Sequence, residues 1–176
     1  MESFDEFWQK TVSSFQNLRY KSDMSEKIDE NDRAILRILQ RDASRSLDSI
    51  AEELSLSLNT VWRRVRRLEE RAILERRVAL IDNDKVGLPL TVFVAIRTDE
   101  HSGDWAATLK ATVAAIPEIV EFYRLAGDVD YILKLMVADV AHYDRVYQDL
   151  IGRIRISDVS ASFAMEKMKF TTELPI

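Results

Sequence analysis

The chain has 176 residues, 47% hydrophobic and 31% charged, with a net charge of −5 and no cysteine. This length and composition are ordinary for a soluble globular protein with one or two small domains, and the lack of cysteine excludes disulfides, thiolate metal sites and cysteine nucleophiles. No apolar run approaches the roughly 20 residues of a membrane span and the first residues lack the order of a signal peptide, so we expect a cytoplasmic protein that does not insert in membranes.

Residues 1–27 are predicted to be an N-terminal extension and linker. Large apolar residues repeat there at helical spacing, at Phe4, Trp8, Val12, Phe15 and Leu18. A short amphipathic helix is marginal by itself. It either contacts a partner subunit or is a frayed tail, and the sequence leaves both interpretations open.

Residues 28–77 are predicted to form three helices. Asp29–Arg41 makes the first, and Ser46 is a good N-cap for the second, which is followed by the turn Ser55–Ser57. The apolar positions of these two helices are Ile35, Leu36, Ile38, Leu39, Leu47, Ile50, Ala51 and Leu54. Two short helices, a tight turn and a third helix predict a helix-turn-helix.

The third helix combines an apolar stripe with a polar outer face. The stripe consists of Leu58, Val61, Val65, Leu68 and Ala72, and the outer face and its flanks carry Asn59, Thr60, Arg63, Arg66, Arg67 and Glu70. Such a face suits the DNA major groove, where side chains bond base edges and arginines neutralise phosphates. A solvated basic helix in an unrelated bundle would show the same apolar period. The arginine-rich face favours DNA, because local charge outweighs the charge of the whole chain.

After Leu74 strand and helix patterns alternate. Strands are expected over 76–81, 90–96, 119–126, 131–137 and 159–164, with helices before Pro117 and over 140–151 and a turn at 82–85. From residue 90 the order is β-α-β-β-α-β, the ferredoxin-like arrangement. Its helices cover one face of the sheet, so dimerisation through the other face is expected.

Three segments occur in an order that points to a known family. Residues 28–36 look like an opening helix, residues 56–69 match a recognition-helix signature, and residues 126–131 match a Gly-Asp-x-Asp-Tyr loop. Over about residues 27–174 the chain therefore resembles the Lrp/AsnC family, the feast/famine transcription regulators. Residues 162–172 resemble the branch that includes regulators of cysteine detoxification. The chain departs from the family pattern before Met24 and at Ser55, where a glycine is common.

The predicted DNA-binding residues surround the third helix. They are Ser46, Ser57, Asn59, Thr60, Arg63, Arg64, Arg66 and Arg67. Those nearest the helix N-terminus, Asn59, Thr60 and Arg63, are predicted to read base edges. Arg66 and Arg67 lie further along and are predicted to bind phosphate. Ser46 would add backbone contacts, and Trp62 is predicted to pack sideways.

The Gly127-Asp128 turn is the candidate ligand sensor. Its backbone N–H groups could receive a carboxylate and Asp128 could pair with an ammonium group, although the same residues are common in ordinary β-turns. The family resemblance implies that amino acids bind near this loop, between dimers. The predicted effector-binding residues are Gly127, Asp128, Asp130 and Tyr131, with Asp130 orienting the loop.

The sequence predicts an α+β protein with a winged-type helix-turn-helix domain at 28–77, a strand linker at 78–89 and a ferredoxin-like sensing and dimerisation domain at 90–176. The predicted function is sequence-specific transcription regulation, with DNA affinity or oligomeric state responding to a small amino acid. The predicted partners are double-stranded DNA, this amino acid and further copies of the chain, as a homodimer that builds higher oligomers. No cofactor or metal is expected.

Two alternatives remain: an architectural DNA-binding protein without a ligand and, less favoured, an enzyme of ferredoxin-like fold. His101 and His142 lie apart from the Asp128 loop in the sequence, and no phosphate cradle or nucleophile motif occurs. Asp128 and Asp130 would face opposite sides of a strand. We therefore predict that the protein is not an enzyme.

Overall fold

The computed structural model describes residues 28–100 and 102–176, so the predicted amphipathic helix at 4–18 lies outside the described residues. The described residues form two compact units, one of residues 28–80 with 169–176 and one of residues 81–168. Within these residues no helix has both the length and the apolar character that crossing a membrane requires.

The first unit contains the three predicted helices, α1 (Glu30–Arg41), α2 (Leu47–Glu53) and α3 (Leu58–Glu70). Each begins at a residue whose side chain accepts a bond from a backbone N–H of the first turn. Asp29 accepts from Asp32 at 2.9 Å, and Ser46 and Ser57 cap α2 and α3 at 3.2 Å. These caps satisfy N–H groups that have no partner inside the helix. The predicted helix-turn-helix is confirmed.

The core of this unit follows the predicted apolar pattern, except at the ends of α3. The buried apolar residues are Ile35, Leu36, Leu39, Ile50, Ala51, Val61, Val65 and Leu68. Ile38, Leu47 and Leu54 pack against them and are partly buried. Leu58, predicted to be buried, is 46% exposed because it is the first residue of α3 and faces solvent. Ala72 is exposed as well, since it lies beyond the last helical residue.

The turn between α2 and α3 retains the backbone that a glycine usually provides. Ser55 has φ 54°, in the left-handed region. The turn is closed by the Leu56 N–H, which donates to the Ala51 carbonyl at 2.9 Å. Ser55 therefore accepts a strained conformation, at a cost of about 1 kcal/mol, and the departure from the family pattern does not change the turn.

Ala72→Gly should stabilise the end of α3. Ala72 has φ 51°, and the Ile73 N–H donates to the Leu68 carbonyl at 2.9 Å, the Schellman arrangement that favours glycine. We expect hydrogen exchange of the buried amides of α3 to show a gain of about 1 kcal/mol in opening free energy. The matched change Ala34→Gly, inside α1, should cost about 1 kcal/mol. A loss from both substitutions would contradict the strain at Ala72.

The strand predicted over 76–81 is wrong, since these residues have no regular secondary structure. Val78, Leu80 and Ile81 are 61–68% exposed. A strand needs a neighbour to bond its backbone N–H and C=O groups, and no described strand of the chain pairs with this segment. The turn predicted at 82–85 is confirmed, with the Asp84 N–H donating to the Asp82 carboxylate at 3.1 Å.

The second unit is the predicted ferredoxin-like domain. Its elements are β1 (Leu90–Arg97), α4 (Gly103–Ala114), β2 (Ile119–Arg124), β3 (Tyr131–Val137), α5 (Val140–Arg153) and β4 (Asp158–Phe163). The strands form one antiparallel sheet in the order β2-β3-β1-β4. Alternate residues of β1 and β3 are buried in a core shared with α4 and α5. No helix of residues 28–100 or 102–176 is part of the core on the other face of the sheet, and Phe93 on that face is 39% exposed.

Candidate functional sites

The outer face of α3 presents two polar side chains at its N-terminal half. Asn59 and Arg63 are exposed, and within residues 28–100 and 102–176 neither side chain makes a hydrogen bond or ion pair. Thr60 is less free, because its hydroxyl lies 2.7 Å from that of the capping residue Ser57. The hydrogen-bonding groups of the Asn59 and Arg63 side chains are therefore available to bind another molecule.

Two arginines of α3 bind carboxylates of α1. The Arg64 guanidinium donates to Asp29 at 2.6 Å and to Asp32 at 2.9 Å, while Arg67 donates to Asp32 at 2.7 Å. The Asp32 side chain has no solvent exposure, and that of Arg64 only 20%. The Arg64 guanidinium therefore fastens α3 to α1, and its predicted contact with DNA stays a prediction. Arg67 shares this structural role, with a side chain 38% exposed.

The ion pairs change the protonation equilibria of both partners. The N–H of Asp32, followed by the Arg64 guanidinium, holds the pKa of Asp29 below its usual value. Hydrogen bonds to Asp29 and then Asp32 raise the pKa of Arg64. A carboxylate with a lowered pKa stabilises the fold above its unfolded-state pKa, and this contribution disappears as the pH falls through the folded-state pKa. The ion pair between Asp29 and Arg64 is thus fully charged at neutral pH.

Arg66 lies on the exposed side of α3 with an internal partner of its own. Its guanidinium carbon lies 5.3 Å from the centre of the Trp62 ring, and its Nε donates to Glu70 at 2.9 Å. An exposed pair four residues apart on a helix contributes only about 0.3–0.5 kcal/mol. A phosphate can therefore replace Glu70 at little cost. Trp62 is 47% exposed, so its packing is limited to this stacked arginine and a partial contact with the surface.

The loop between β2 and β3 is fixed to the end of β1. The Arg97 side chain donates to the Asp128 carbonyl at 2.8 Å, and the Asp130 carboxylate accepts the Thr98 N–H at 2.9 Å. Gly127 is exposed with φ 150°, a conformation that a side chain would strain. Among the described residues, no hydrogen bond reaches the exposed Asp128 carboxylate. Asp130 orients the loop, and Asp128 projects from it.

Tyr131 does not belong to this exposed loop. It is 7% exposed, and its ring lies 5.5 Å from that of Phe122 and 5.9 Å from that of Trp105. Strand alternation turns this first residue of β3 toward the core, and the predicted contact of Tyr131 with the effector stays a prediction. The same alternation, continued by Leu133 and Leu135, was available in the sequence.

Sequence reasoning missed two charged residues beside the loop. Arg97 and Asp158 pair at 3.4 Å across β1 and β4. With Ala95, Val129 and Ser160 they line a depression of about 380 Å³ on the open face of the sheet. This volume falls within the roughly 300–1,000 Å³ of small-molecule sites. The signal in the sequence was an arginine at an outward position of an otherwise apolar strand.

Comparisons with known proteins match both units. A family model described as winged helix-turn-helix DNA-binding matches residues 28–71, and one described as Lrp/AsnC ligand binding domain matches residues 91–174. The glutamate uptake regulatory protein of Zymomonas mobilis is 48% identical over 153 residues, which cover 87% of this chain and 93% of that protein. The chain belongs to the Lrp/AsnC family of transcription regulators.

Solved structures agree with this Lrp/AsnC assignment. An AsnC family transcriptional regulator from Agrobacterium tumefaciens has a TM-score of 0.81 and 49% identity, covering 84% of this chain and 96% of that one. The regulator NMB0573 of Neisseria meningitidis, crystallised as an L-Met complex, has a TM-score of 0.80 and 27% identity, covering 85% and 97%. The predicted family, fold class and role in DNA-binding transcription regulation are confirmed.

Proposed function

We propose that this Lrp/AsnC regulator reads DNA through the N-terminal half of α3, with Asn59 and Arg63 contacting base edges. The observation that carries this proposal is the contrast between the two kinds of arginine on α3. Arg64 is bound to carboxylates of α1, whereas Arg63 is exposed without an internal partner among the described residues. Arginine bonds guanine and asparagine bonds adenine in the major groove.

The remaining predicted DNA contacts surround this reading pair. Arg66 and the exposed part of Arg67 bind phosphate, and Thr60 lies within reach of the same groove. The capped N-termini of α2 at Ser46 and of α3 at Ser57 support backbone contacts, because the positive end of a helix favours a phosphate. These contacts position the protein on the duplex, and the specificity comes from Asn59 and Arg63.

We further propose that a small amino acid binds beside the Gly127-Asp128 loop and controls DNA binding. Arg97 suits the carboxylate of an amino acid, and the carboxylates of Asp128 and Asp158 suit its ammonium group. All three residues border or adjoin the depression on the open sheet face. The L-Met complex of the Neisseria meningitidis regulator supports an amino acid as the class of ligand.

The open sheet face also supports the proposed assembly. Phe93 and Tyr123 are 39% and 53% exposed there, and a second copy would bury them. A homodimer formed in this way places two effector loops in one particle, and dimers then associate into larger oligomers. We propose that the protein acts in the cytoplasm as a regulator and not as an enzyme.

Asp128→Ala should weaken amino-acid binding about tenfold to a hundredfold, because a hydrogen bond to a charged group contributes about 1.5–3 kcal/mol. The measurement is calorimetry with L-glutamate, L-cysteine, L-methionine and then the other amino acids. Asp144→Ala, an exposed aspartate on α5, is the matched control and should bind as the wild type does. Equal affinities of the Asp128 variant and the wild type would remove Asp128 from the site. Failure of every amino acid to bind the wild type would favour the architectural alternative.

A further inference from the structure

The C-terminal segment, residues 169–176, belongs to the unit that contains the helix-turn-helix. The chain leaves this unit after Leu80, forms the ferredoxin-like domain and returns at Lys169. Two chain segments thus join the units, whereas the sequence pattern had assigned everything after residue 89 to the second domain. The returning segment has no helix or strand of its own.

This segment is held by three side chains of α1. The amide of Gln40 bonds both main-chain groups of Leu174, accepting its N–H at 2.6 Å and donating to its carbonyl at 3.4 Å. Arg41 pairs with Glu173 at 3.1 Å, and Arg37 donates to the Ile176 carbonyl at 2.6 Å. Residues three and four apart share one face of a helix. Arg37, Gln40 and Arg41 therefore form one continuous face, the outer face of α1.

The contacts fit an extended peptide of this sequence. Gln40 recognises main-chain groups much as a neighbouring strand does, which requires an extended partner. The Arg41–Glu173 pair fixes the position of the segment along α1, because it places the Leu174 backbone opposite Gln40. Exposed contacts of this kind are individually weak, but covalent attachment gives the segment a high effective concentration at this face.

α1 also fixes the recognition helix. Its first turn provides Asp32, which binds Arg64 and Arg67 of α3. One helix is thus bonded near its C-terminal end to the returning segment and near its N-terminal end to the helix that reads DNA. A rigid helix transmits a shift at one end to the other.

We propose that the outer face of α1 is a docking site for the C-terminal segment of the same chain, and that this docking links the effector-binding domain to the recognition helix. The docking itself is independent of the function proposed above. The link to the recognition helix rests on that function, since the link requires DNA binding by α3. Undocking the segment should therefore lower DNA affinity while each unit remains folded.

Crosslinking tests the docking without DNA or effector. The chain contains no cysteine, so Gln40→Cys with Leu174→Cys gives a clean pair for a short bismaleimide. We expect a crosslinked monomer on denaturing gels. The matched pair Asn31→Cys with Leu174→Cys should not react, because Asn31 lies nine residues, or about 13 Å, back along α1. In the first pair the Arg37 and Arg41 contacts still hold the segment without the Gln40 amide. A crosslinked dimer would therefore overturn the assignment to the same chain, and absence of any crosslink would overturn the docking.

Charge reversal tests the link to DNA binding. Arg41→Glu and Glu173→Arg should each lower DNA affinity about fivefold, the lower limit of typical coupling between sites, and the double variant should recover it. A simple effect of net charge also predicts a loss of affinity for Arg41→Glu, but it predicts a gain for Glu173→Arg. The same reversals at Asp149 and Arg153, a comparably exposed pair on α5, should have no effect.

These outcomes separate this proposal from the function on which it rests. Opposite shifts of the two single variants, or unchanged affinity in both despite a crosslink, would overturn the link between docking and DNA binding. If the wild type binds no DNA, the proposed function and the link fail together, and the crosslink still decides the docking.

Discussion

Asp32→Ala is expected to lower the free energy of unfolding of the helix-turn-helix unit by about 3 kcal/mol. The Asp32 carboxylate is inaccessible to solvent and receives hydrogen bonds from Arg64 and Arg67. Its removal takes one of two carboxylate partners from Arg64 and removes the carboxylate to which Arg67 donates at 2.7 Å. The loss lies at the lower end of the range for buried ion pairs because both arginines retain contact with water.

The matched change is Asp29→Ala, since Asp29 also contacts Arg64 but is 48% exposed. It should cost about 1 kcal/mol, mainly through the lost cap of α1. Hydrogen exchange of the buried amides of α1 and α3 measures both values. Equal losses would show that Asp32 contributes no more than a helix cap. Arg67→Ala should destabilise this unit too, so its effect on DNA binding has to be measured at a temperature where the variant is folded.

Arg63→Ala should lower the affinity for a selected DNA site by about 1–3 kcal/mol, or about fivefold to 150-fold, and relax the preference at one base pair. Its guanidinium is exposed and has no partner among the described residues, so the fold should not change. Fluorescence anisotropy on sites selected from random DNA, followed by single-base variants of the best site, measures both effects.

Arg66→Ala is the matched control on the same helix. Arg66 is predicted to bind phosphate, so its loss should weaken all sequences alike and reduce the slope of log affinity against log salt by about 1. If Arg63→Ala leaves the base preference unchanged, Arg63 does not contact base edges. If Arg66→Ala relaxes the base preference and Arg63→Ala weakens all sequences alike, the roles of the two arginines are exchanged.

Local pattern was sufficient for most of the fold. The spacing of apolar residues and the cap at Ser46 predicted three helices, and the first of them begins at Glu30, one residue later than predicted, with Asp29 as its cap. The alternation in β1 and β3 predicted the order of the ferredoxin-like domain. These features depend on residues close together in sequence, so the spacing of apolar residues and the capping residues reveal them directly.

Features that depend on distant residues were missed. Helical projection places Arg67 at the edge of the outer face of α3, but its partner Asp32 is 35 positions earlier, so no local period reveals the pair. The contact of Gln40 with Leu174 spans 134 positions and involves main-chain groups, which carry no sequence signal. The predicted strand at 76–81 failed for a related reason, because β-propensity does not provide a neighbouring strand.

The inward direction of Arg64 and Arg67 has a consequence for redesign. Arg64 and Arg67 hold α3 against α1 through Asp29 and Asp32. The side chains at positions 59, 60 and 63 make no such contacts among the described residues, except that the Thr60 hydroxyl bonds that of Ser57. A library that varies these three positions without proline should consist of folded proteins. Selection from it could retarget the regulator to new operators while the sensing domain and its ligand stay unchanged.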